Sequence, residues 1–319
     1  MPPRTRQPHA LVTHSAGRTP DHSRAACSEV TNPHFRRRTV VFEGVAHPDG
    51  LPYSATVSSA RHLTAHMRRV TFEGPGLAAF TSSGRPDERL LVGLPPDGSD
   101  RRSYTVRRWD PQRGELTVDF VVHAGGNAAR WAEQATPGET VTLSAASGWY
   151  TPPADSEWQL LLSDMTALPA VGRILEELPA GSRAHVIAEI IEPADEQRFV
   201  SSADVTVTWL HGHGNGLTPS MLHAAATGWS RPTGPGYVWF AGEARTSREV
   251  RRWLRHELGW SPERYDVMGY WRAHQEEWTR RYEQVQTEIE AVADRALAAG
   301  DDLDTVRDAV DAAMERAGL

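Results

Sequence analysis

The chain has 319 residues and a mass of 35.2 kDa, a size at which one hydrophobic core usually gives way to two domains. A net charge of -7 gives no sign of nucleic-acid binding, and no apolar run is long enough for membrane insertion. The single cysteine, Cys27, excludes a disulfide framework, and the absence of lysine excludes Schiff-base chemistry and a phosphate-loop lysine.

Residues 1–38 form a basic segment, with seven arginines against Asp21 and Glu29. The segment is rich in Pro, Ser and His and has no hydrophobic periodicity, so we predict that it is disordered. Residues 36–42 faintly resemble a twin-arginine export signal, but Glu43 and Pro48 interrupt the apolar stretch that should follow. We therefore expect a cytoplasmic protein.

Residues 39–152 contain six short alternating or apolar runs separated by Gly- and Pro-rich turns. This spacing predicts an antiparallel β-barrel. The predicted strands are 53–59, 67–72, 89–94, 103–107, 116–123 and 140–143.

In residues 153–274, strands alternate with helices, which is typical of a doubly wound α/β domain with a parallel sheet. Ligands are expected beyond the carboxyl ends of its strands. Thr246 and Glu249 predict a capping box at the last helix. The predicted strands are 158–162, 185–191, 205–210, 237–241 and 265–269, and the predicted helices are 169–178, 219–226 and 247–258.

Residues 212–216 follow one of these strands and are rich in glycine. They lack the G-x-G-x-x-G spacing of a dinucleotide fingerprint, so we interpret them as a flexible turn. His211, His213 and His223 lie nearby, but loop positions explain them better than ligand roles, and we predict no metal site.

Residues 275–319 carry twelve carboxylates against five arginines and form a helical extension. A heptad stripe predicts one long helix that ends at Gly300, and Asp301 or Asp302 can cap a second helix. The stripe must be buried. We favour docking on the same chain, with a dimer through these helices as the alternative. The stripe consists of Trp278, Tyr282, Val285, Ile289, Val292 and Ala296.

Arg102, Tyr104 and Thr105 lie on a predicted barrel strand in the order R-x-Y-T. The tyrosine ring can pack on a flavin, the threonine hydroxyl can hydrogen-bond the flavin N5, and the arginine can bind pyrophosphate through two N–H groups. This motif resembles the R-x-Y-S/T flavin motif of the ferredoxin–NADP reductase superfamily, whose members join a barrel to a doubly wound sheet.

Residues 119–132 run from a strand through a Gly-rich turn into a helix start, where free backbone N–H groups can hold a phosphate. They resemble the D-F-V-x-H-x-x-G-P-A-S-x-W-A segment of siderophore-interacting proteins. His123 is equally well explained as a structural histidine. The matching residues are Asp119, His123, Gly126, Asn127, Ala128, Ala129 and Trp131.

Three further segments, 163–170, 241–244 and 269–272, resemble G-D-E-T-A-L-P-A, A-G-E-A and G-Y-W-R of the same family. The resemblance covers roughly residues 38–273 and implies an FAD-dependent ferric-siderophore reductase that takes electrons from NADPH or NADH. Glu243 could instead simply cap the following helix. The family's nucleotide-site residues correspond to Asp164, Thr166, Ala167, Gly242 and Glu243, and Trp271 and Arg272 are placed near the substrate.

The chain departs from the family pattern at Ser144–Gly148, where the family has G-P-x-G, and at Ser163 and Met165. A family lysine in the substrate pocket cannot exist here, which leaves Arg272, or Arg245 and Arg248, for an anionic siderophore. Two alternatives therefore stay open. One is a general flavin reductase that passes electrons to a protein partner, and the other is a catalytically weak siderophore-binding protein.

Overall fold

The computed structural model describes residues 50–319 except residues 96 and 124, so the segment 1–38 and its export-like run lie outside the described residues. Two sheets follow each other along the chain, and two long helices come last. None of the helices in the described part is both long and apolar enough to span a membrane.

The first sheet is antiparallel, with strand order β4-β3-β7-β1-β2-β6-β5. Tyr104 of β4 packs on Phe120 of β6 with ring centroids 4.3 Å apart, so the sheet curls into an open barrel around its core. The short strand β5 was not predicted. The bounds are β1 Tyr53–Thr64, β2 Met67–Glu73, β3 Arg89–Gly93, β4 Arg101–Thr105, β5 Arg108–Asp110, β6 Glu115–Val121, α1 Asn127–Gln134 and β7 Thr140–Leu143.

The second sheet is entirely parallel, with order β10-β9-β8-β11-β12. The strand order reverses between β8 and β11, and the crevice at such a reversal is where doubly wound sheets bind ligands. The bounds are β8 Trp158–Ser163, α2 Leu168–Glu177, β9 Arg183–Ile190, β10 Asp204–His211, α3 Leu222–Gly228, β11 Gly236–Glu243, α4 Ala244–Arg252 and β12 Tyr265–Trp271.

Buried polar contacts join the two sheets. Arg173 of α2 donates to the buried carboxylate of Glu88, which precedes β3, over 2.8 Å. The buried carboxylate of Asp87 accepts from Trp239 of β11 over 3.2 Å. These contacts, together with apolar packing of Met67 and Tyr150 against the parallel sheet, hold the two halves in one arrangement.

Helices α5 (Gln275–Ala298) and α6 (Leu303–Arg316) form an antiparallel hairpin whose facing apolar side chains bury each other. Asp302 caps α6 by accepting from Thr305 N over 2.8 Å. The hairpin docks on its own chain, as the favoured alternative predicted, through the basic helix α4 and the turn after it. The paired groups are Arg248 with the terminal oxygen of Leu319, Arg251 with Asp308 and Asp311, Arg252 with Glu315, and Arg255 with Asp304 and Asp308.

Truncation after His274 tests this docking. We expect a monomer before and after the cut, with a melting temperature lower by about 5 °C or more, because the buried guanidinium of Arg251 loses both carboxylate partners. Sedimentation analysis and thermal melts measure the two quantities. A full-length dimer that becomes a stable monomer on truncation would overturn docking in cis.

Candidate functional site

The predicted site residues gather where the end of β4 meets the carboxyl edge of the parallel sheet. The guanidinium carbon of Arg89 on β3 lies 3.8 Å from the ring centroid of Tyr270 on β12. Thr105, the last residue of β4, pairs with Arg89 across the antiparallel ladder. The flavin motif of the first sheet and the last strand of the second therefore share one cleft.

The three residues of the flavin motif present different groups to this cleft. The Arg102 side chain is 57% exposed, and its Nη1 lies 2.7 Å from Asp100 Oδ1. The Tyr104 ring is held against Phe120, and burial raises the pKa of its hydroxyl. Thr105 is buried, and its hydroxyl oxygen has no hydrogen-bond partner among the described residues.

The Gly-rich turn leads directly into α1. Gly126 occupies the N-cap position with φ 79°, a left-handed value that favours glycine, and no side chain caps the helix. Asn127 is exposed at the first helical position, while Ala128 and Ala129 are buried beneath it. His123 is exposed before the turn. The open helix start can receive an anionic group such as a phosphate.

Asp119 and Trp131 hold this segment through contacts with other residues of the barrel domain. Both carboxylate oxygens of Asp119 accept from Arg69, over 2.6 and 2.7 Å. Trp131 donates to Glu139 over 2.9 Å and stacks on Phe72 with centroids 6.4 Å apart. Asp119 therefore holds β6 to β2, and Trp131 holds α1 against the barrel.

Asp164 organises the other side of the cleft, at the crevice between β8 and β11. Its Oδ1 accepts from the backbone N (2.8 Å) and hydroxyl (2.6 Å) of Thr166, and its Oδ2 accepts from Trp271 Nε1 (2.5 Å). Burial raises its pKa. A Cβ on Gly242 would lie 2.9 Å from Asp164 Oδ2, so only glycine fits there. The buried residue Ala167 completes the turn.

Thr166→Val removes the hydroxyl that donates to Asp164. We expect slower reduction of bound flavin by a nicotinamide, because the turn at the end of β8 loses a charge-assisted hydrogen bond worth about 1.5–3 kcal/mol. Photoreduced flavin should still reduce a ferric siderophore at the wild-type rate. Thr166→Ser keeps the hydroxyl and is the control. Equal loss in both half-reactions would count against a nicotinamide site at this turn.

Glu243 caps α4, the simpler of the two roles considered from the sequence. Its carboxylate accepts from Arg245 N (2.7 Å) and Thr246 N (3.0 Å). The predicted capping box of Thr246 and Glu249 is wrong, because β11 passes directly into a helix that begins at Ala244. The carboxylate of Glu243 still lies at the ligand edge of the sheet.

The Gly-rich segment 212–216 forms a turn, as predicted, and two of its residues contact the site. Asn215, with φ 56°, accepts from Met165 N over 3.0 Å. Gly216 lies beside the Trp271 ring, since a Cβ there would be 3.6 Å from it. The sequence signal was the Asn within the glycine run, because Asn tolerates left-handed backbone.

Glu189, at the end of β9, is a buried carboxyl that receives Met221 N at the start of α3. This contact explains why α3 begins at Leu222 rather than at the predicted residue 219. Burial raises the pKa of Glu189 to about 7. A Cβ on Gly214 would lie 2.0 Å from its Oε2. The carboxyl therefore holds the start of α3 and leaves no room for a side chain at position 214.

The raised pKa of Glu189 predicts a pH-dependent stability. The folded protein holds this proton more tightly than the unfolded chain, so the contribution is greatest at low pH. The free energy of unfolding should fall by about 3–4 kcal/mol as pH rises from about 4 to about 8. Glu189→Gln keeps the acceptor and should flatten this dependence in urea unfolding. Identical pH profiles for the two proteins would refute the assignment.

Arginines considered for anionic ligands divide into two groups. Arg248 is buried and bound by the C-terminal hairpin, as is Arg251. Arg245 is exposed at the start of α4. The Arg272 guanidinium carbon lies 4.0 Å from the Trp278 ring centroid of α5. Arg245 is therefore exposed, while the hairpin contacts both Arg248 and Arg272.

Sequence reasoning missed Arg89, which is 4% exposed and lies beside Thr105 and Tyr270. Its only signal was a charged residue at the start of the predicted strand 89–94, directly before the apolar residues. Arg89 Nε, Thr105 Oγ1, Ser147 Oγ and Tyr270 OH are all buried without a regular hydrogen-bond partner among the described residues. Thr105 nevertheless lies close enough to Tyr270 to affect its pKa.

These observations fit FAD. Unpartnered polar atoms meet at the Thr105 end of the cleft, where the edge of a flavin ring carries nitrogen and oxygen acceptors and an N–H donor. The uncapped start of α1 and the exposed Arg102 suit a pyrophosphate. Buried polar groups without partners are rare in native proteins and point to an absent ligand.

Two family models match the chain. The siderophore-interacting FAD-binding domain matches residues 56–101 and 99–149, and the siderophore-interacting protein model matches residues 156–274. Both end before the C-terminal hairpin.

Solved and curated proteins agree with these matches. A siderophore utilization protein from T. fusca is 31% identical, with a TM-score of 0.63, over 69% of this chain and 92% of that one. The NADPH-dependent ferric-chelate reductase of Escherichia coli is 27% identical, over 68% of this chain and 92% of its own length. Ferric vibriobactin reductase ViuB of Vibrio cholerae is 28% identical, over 66% and 86%. Ferredoxin reductases share the fold at 14–15% identity.

Proposed function

The chain belongs to the siderophore-interacting protein family, and from this premise we propose that it is an FAD-dependent reductase of ferric siderophores. Electrons pass from NADPH or NADH to FAD and then to siderophore-bound iron. We also propose a cytoplasmic location, because reduced nicotinamides are intracellular electron donors.

One observation supports this function most directly: the flavin motif of β4 and the nucleotide turn of β8 open into the same cleft. Tyr270 adjoins Arg89 and Thr105 on one side, and the next residue, Trp271, bonds to Asp164 on the other. A flavin lying along β4 would therefore meet a nicotinamide bound at the crevice between β8 and β11. Direct contact of the two rings is what hydride transfer requires.

Each group of residues has a distinct role in this proposal. Arg102 and the backbone N–H groups of Asn127, Ala128 and Ala129 hold the flavin pyrophosphate. The Tyr104 ring supports the isoalloxazine, and the Thr105 hydroxyl bonds its N5. Asp164 fixes Thr166 and Trp271 so that the donor site keeps its shape.

FAD supplies the step between a two-electron donor and a one-electron acceptor. One nicotinamide therefore reduces two ferric ions in succession. Siderophores bind Fe(III) far more tightly than Fe(II), so reduction weakens the complex and iron is released. We propose that Arg245 and Arg272 attract the anionic chelate to the open edge of the cleft.

The absorption spectrum of the purified protein tests the proposal. Flavin absorption bands at about 450 nm should be present and should bleach when NADPH or NADH is added without oxygen. A protein with no flavin after reconstitution with FAD would be a siderophore-binding protein at most. Flavin that a nicotinamide reduces but only a protein acceptor reoxidises would indicate a general flavin reductase.

A further inference from the structure

Arg89 is a buried arginine that forms no ion pair with a carboxylate among the described residues. Arg173 and Arg251, which are also buried, bind Glu88 and Asp311. The Arg89 side chain donates a long hydrogen bond, 3.4 Å, from Nη2 to Ser103 O. Its Nε has no hydrogen-bond partner among the described residues.

Asp87 attracts Arg89 without forming an ion pair with it. Its carboxylate, two residues earlier, accepts instead from Trp149 N (2.9 Å), Tyr150 N (3.0 Å) and Trp239 Nε1 (3.2 Å). Burial raises the pKa of Asp87, and burial lowers the pKa of Arg89, against the attraction of Asp87. A buried cation without an ion pair is costly, so its presence requires an explanation.

The surroundings of Arg89 are the predicted flavin site itself. It pairs with Thr105 across β3 and β4, and its backbone exchanges two hydrogen bonds with Ser147, over 2.7 and 3.0 Å. The Tyr270 ring covers the guanidinium at 3.8 Å. Thr105, Ser147 and Tyr270 therefore enclose a guanidinium that has no ion pair among the described residues.

We propose that Arg89 raises the reduction potential of the bound flavin by placing a buried positive charge, held in no ion pair, beside the ring. Reduction by two electrons adds negative charge to the ring, and a cation in a medium of low polarity favours the more negative state. The inference rests on the proposed function, because it requires FAD in this cleft.

This role predicts opposite effects on the two half-reactions. A higher flavin potential favours electron transfer from the nicotinamide and leaves less driving force for transfer to iron. Arg89→Gln should therefore slow flavin reduction and speed its reoxidation by a ferric siderophore. Loss of a merely structural residue would slow both.

The direct test is a redox titration of the holoenzyme and of Arg89→Gln. We expect the equilibrium between oxidised and reduced flavin to shift about tenfold toward the oxidised form, which is about 30 mV for a two-electron couple. Arg89→Lys keeps the charge and should restore most of the potential. Arg108→Gln, an exposed arginine on β5, should have no effect.

Each other outcome overturns the inference. An unchanged potential in Arg89→Gln, with a raised KM for the ferric siderophore, would show that the charge of Arg89 acts on the substrate and not on the flavin. If Arg89→Gln loses its flavin, the potential of Arg89→Lys is measured instead. An Arg89→Lys potential that has shifted as far as that of free FAD would contradict a charge effect. A wild-type protein that binds no flavin would refute the proposed function itself, a result distinct from both.

Discussion

Arg102→Ala is expected to weaken FAD binding by about ten- to a hundredfold. The substitution removes charge-assisted hydrogen bonds to the pyrophosphate that are together worth about 1.5–3 kcal/mol. The side chain is 57% exposed, and its partners among the described residues are Asp100 and its neighbour's carbonyl, so the fold should not suffer. Flavin occupancy after gel filtration, followed by titration with FAD, measures the effect.

Arg108→Ala is the matched control, because Arg108 is also an exposed barrel arginine paired with a nearby aspartate, Asp110. It should retain FAD at the wild-type affinity. Full flavin occupancy of Arg102→Ala after dilution would show that this arginine does not hold the cofactor.

Arg173→Met is expected to destabilise the protein by about 3–5 kcal/mol, because it leaves the buried carboxylate of Glu88 without its cation. The guanidinium also donates to Val106 O over 2.9 Å and to Glu177 over 2.7 Å. For a chain of this size, the melting temperature should fall by about 10 °C.

Two comparisons give this prediction its control. Arg113→Met removes an exposed ion pair with Glu115 and should leave the free energy of unfolding nearly unchanged. The double variant Glu88→Gln/Arg173→Met should be more stable than Arg173→Met alone, since it no longer buries an unpaired charge. A single variant as stable as Arg113→Met would mean that the junction of the two sheets does not depend on this pair.

The strands and long helices could be predicted because their hydrophobic periods are clear. Residues 140–143 form β7 as expected, and the tail stripe forms the α5–α6 hairpin. Strand β5 was missed because Arg108–Asp110 has no apolar alternation. The starts of α3 and α4 were misplaced because Glu189 and Glu243, which cap them, come from strands rather than from the local turn sequence.

The chemistry of the site could be predicted only where it follows a short motif. Arg102, Tyr104 and Thr105 share one strand, and Asp164 and Thr166 share one turn, so their resemblance to short family motifs was enough to group them. Other contacts join residues far apart in the chain, such as Asn215 with Met165 and Arg89 with Tyr270. Only the strand order of the two sheets brings these pairs together.

The C-terminal hairpin lies outside both family matches, and its contacts with the rest of the chain were only partly predictable. Its acidic character was evident from composition, but its partners on α4 were not. Arg248 of α4, first considered for an anionic siderophore, is instead bound by the hairpin, as is Arg251. The hairpin therefore narrows the set of cations that can face a ligand.

The most direct test of the central claim is to count ferrous ions released per nicotinamide consumed. The holoenzyme is reduced without oxygen by a limited amount of NADPH and then mixed with a ferric tris-catecholate or tris-hydroxamate siderophore in the presence of a ferrous chelator. We predict that the flavin bands return as the ferrous complex forms, with two Fe(II) for each NADPH. Flavin that remains reduced until air is admitted, with no Fe(II) detected, would contradict the account.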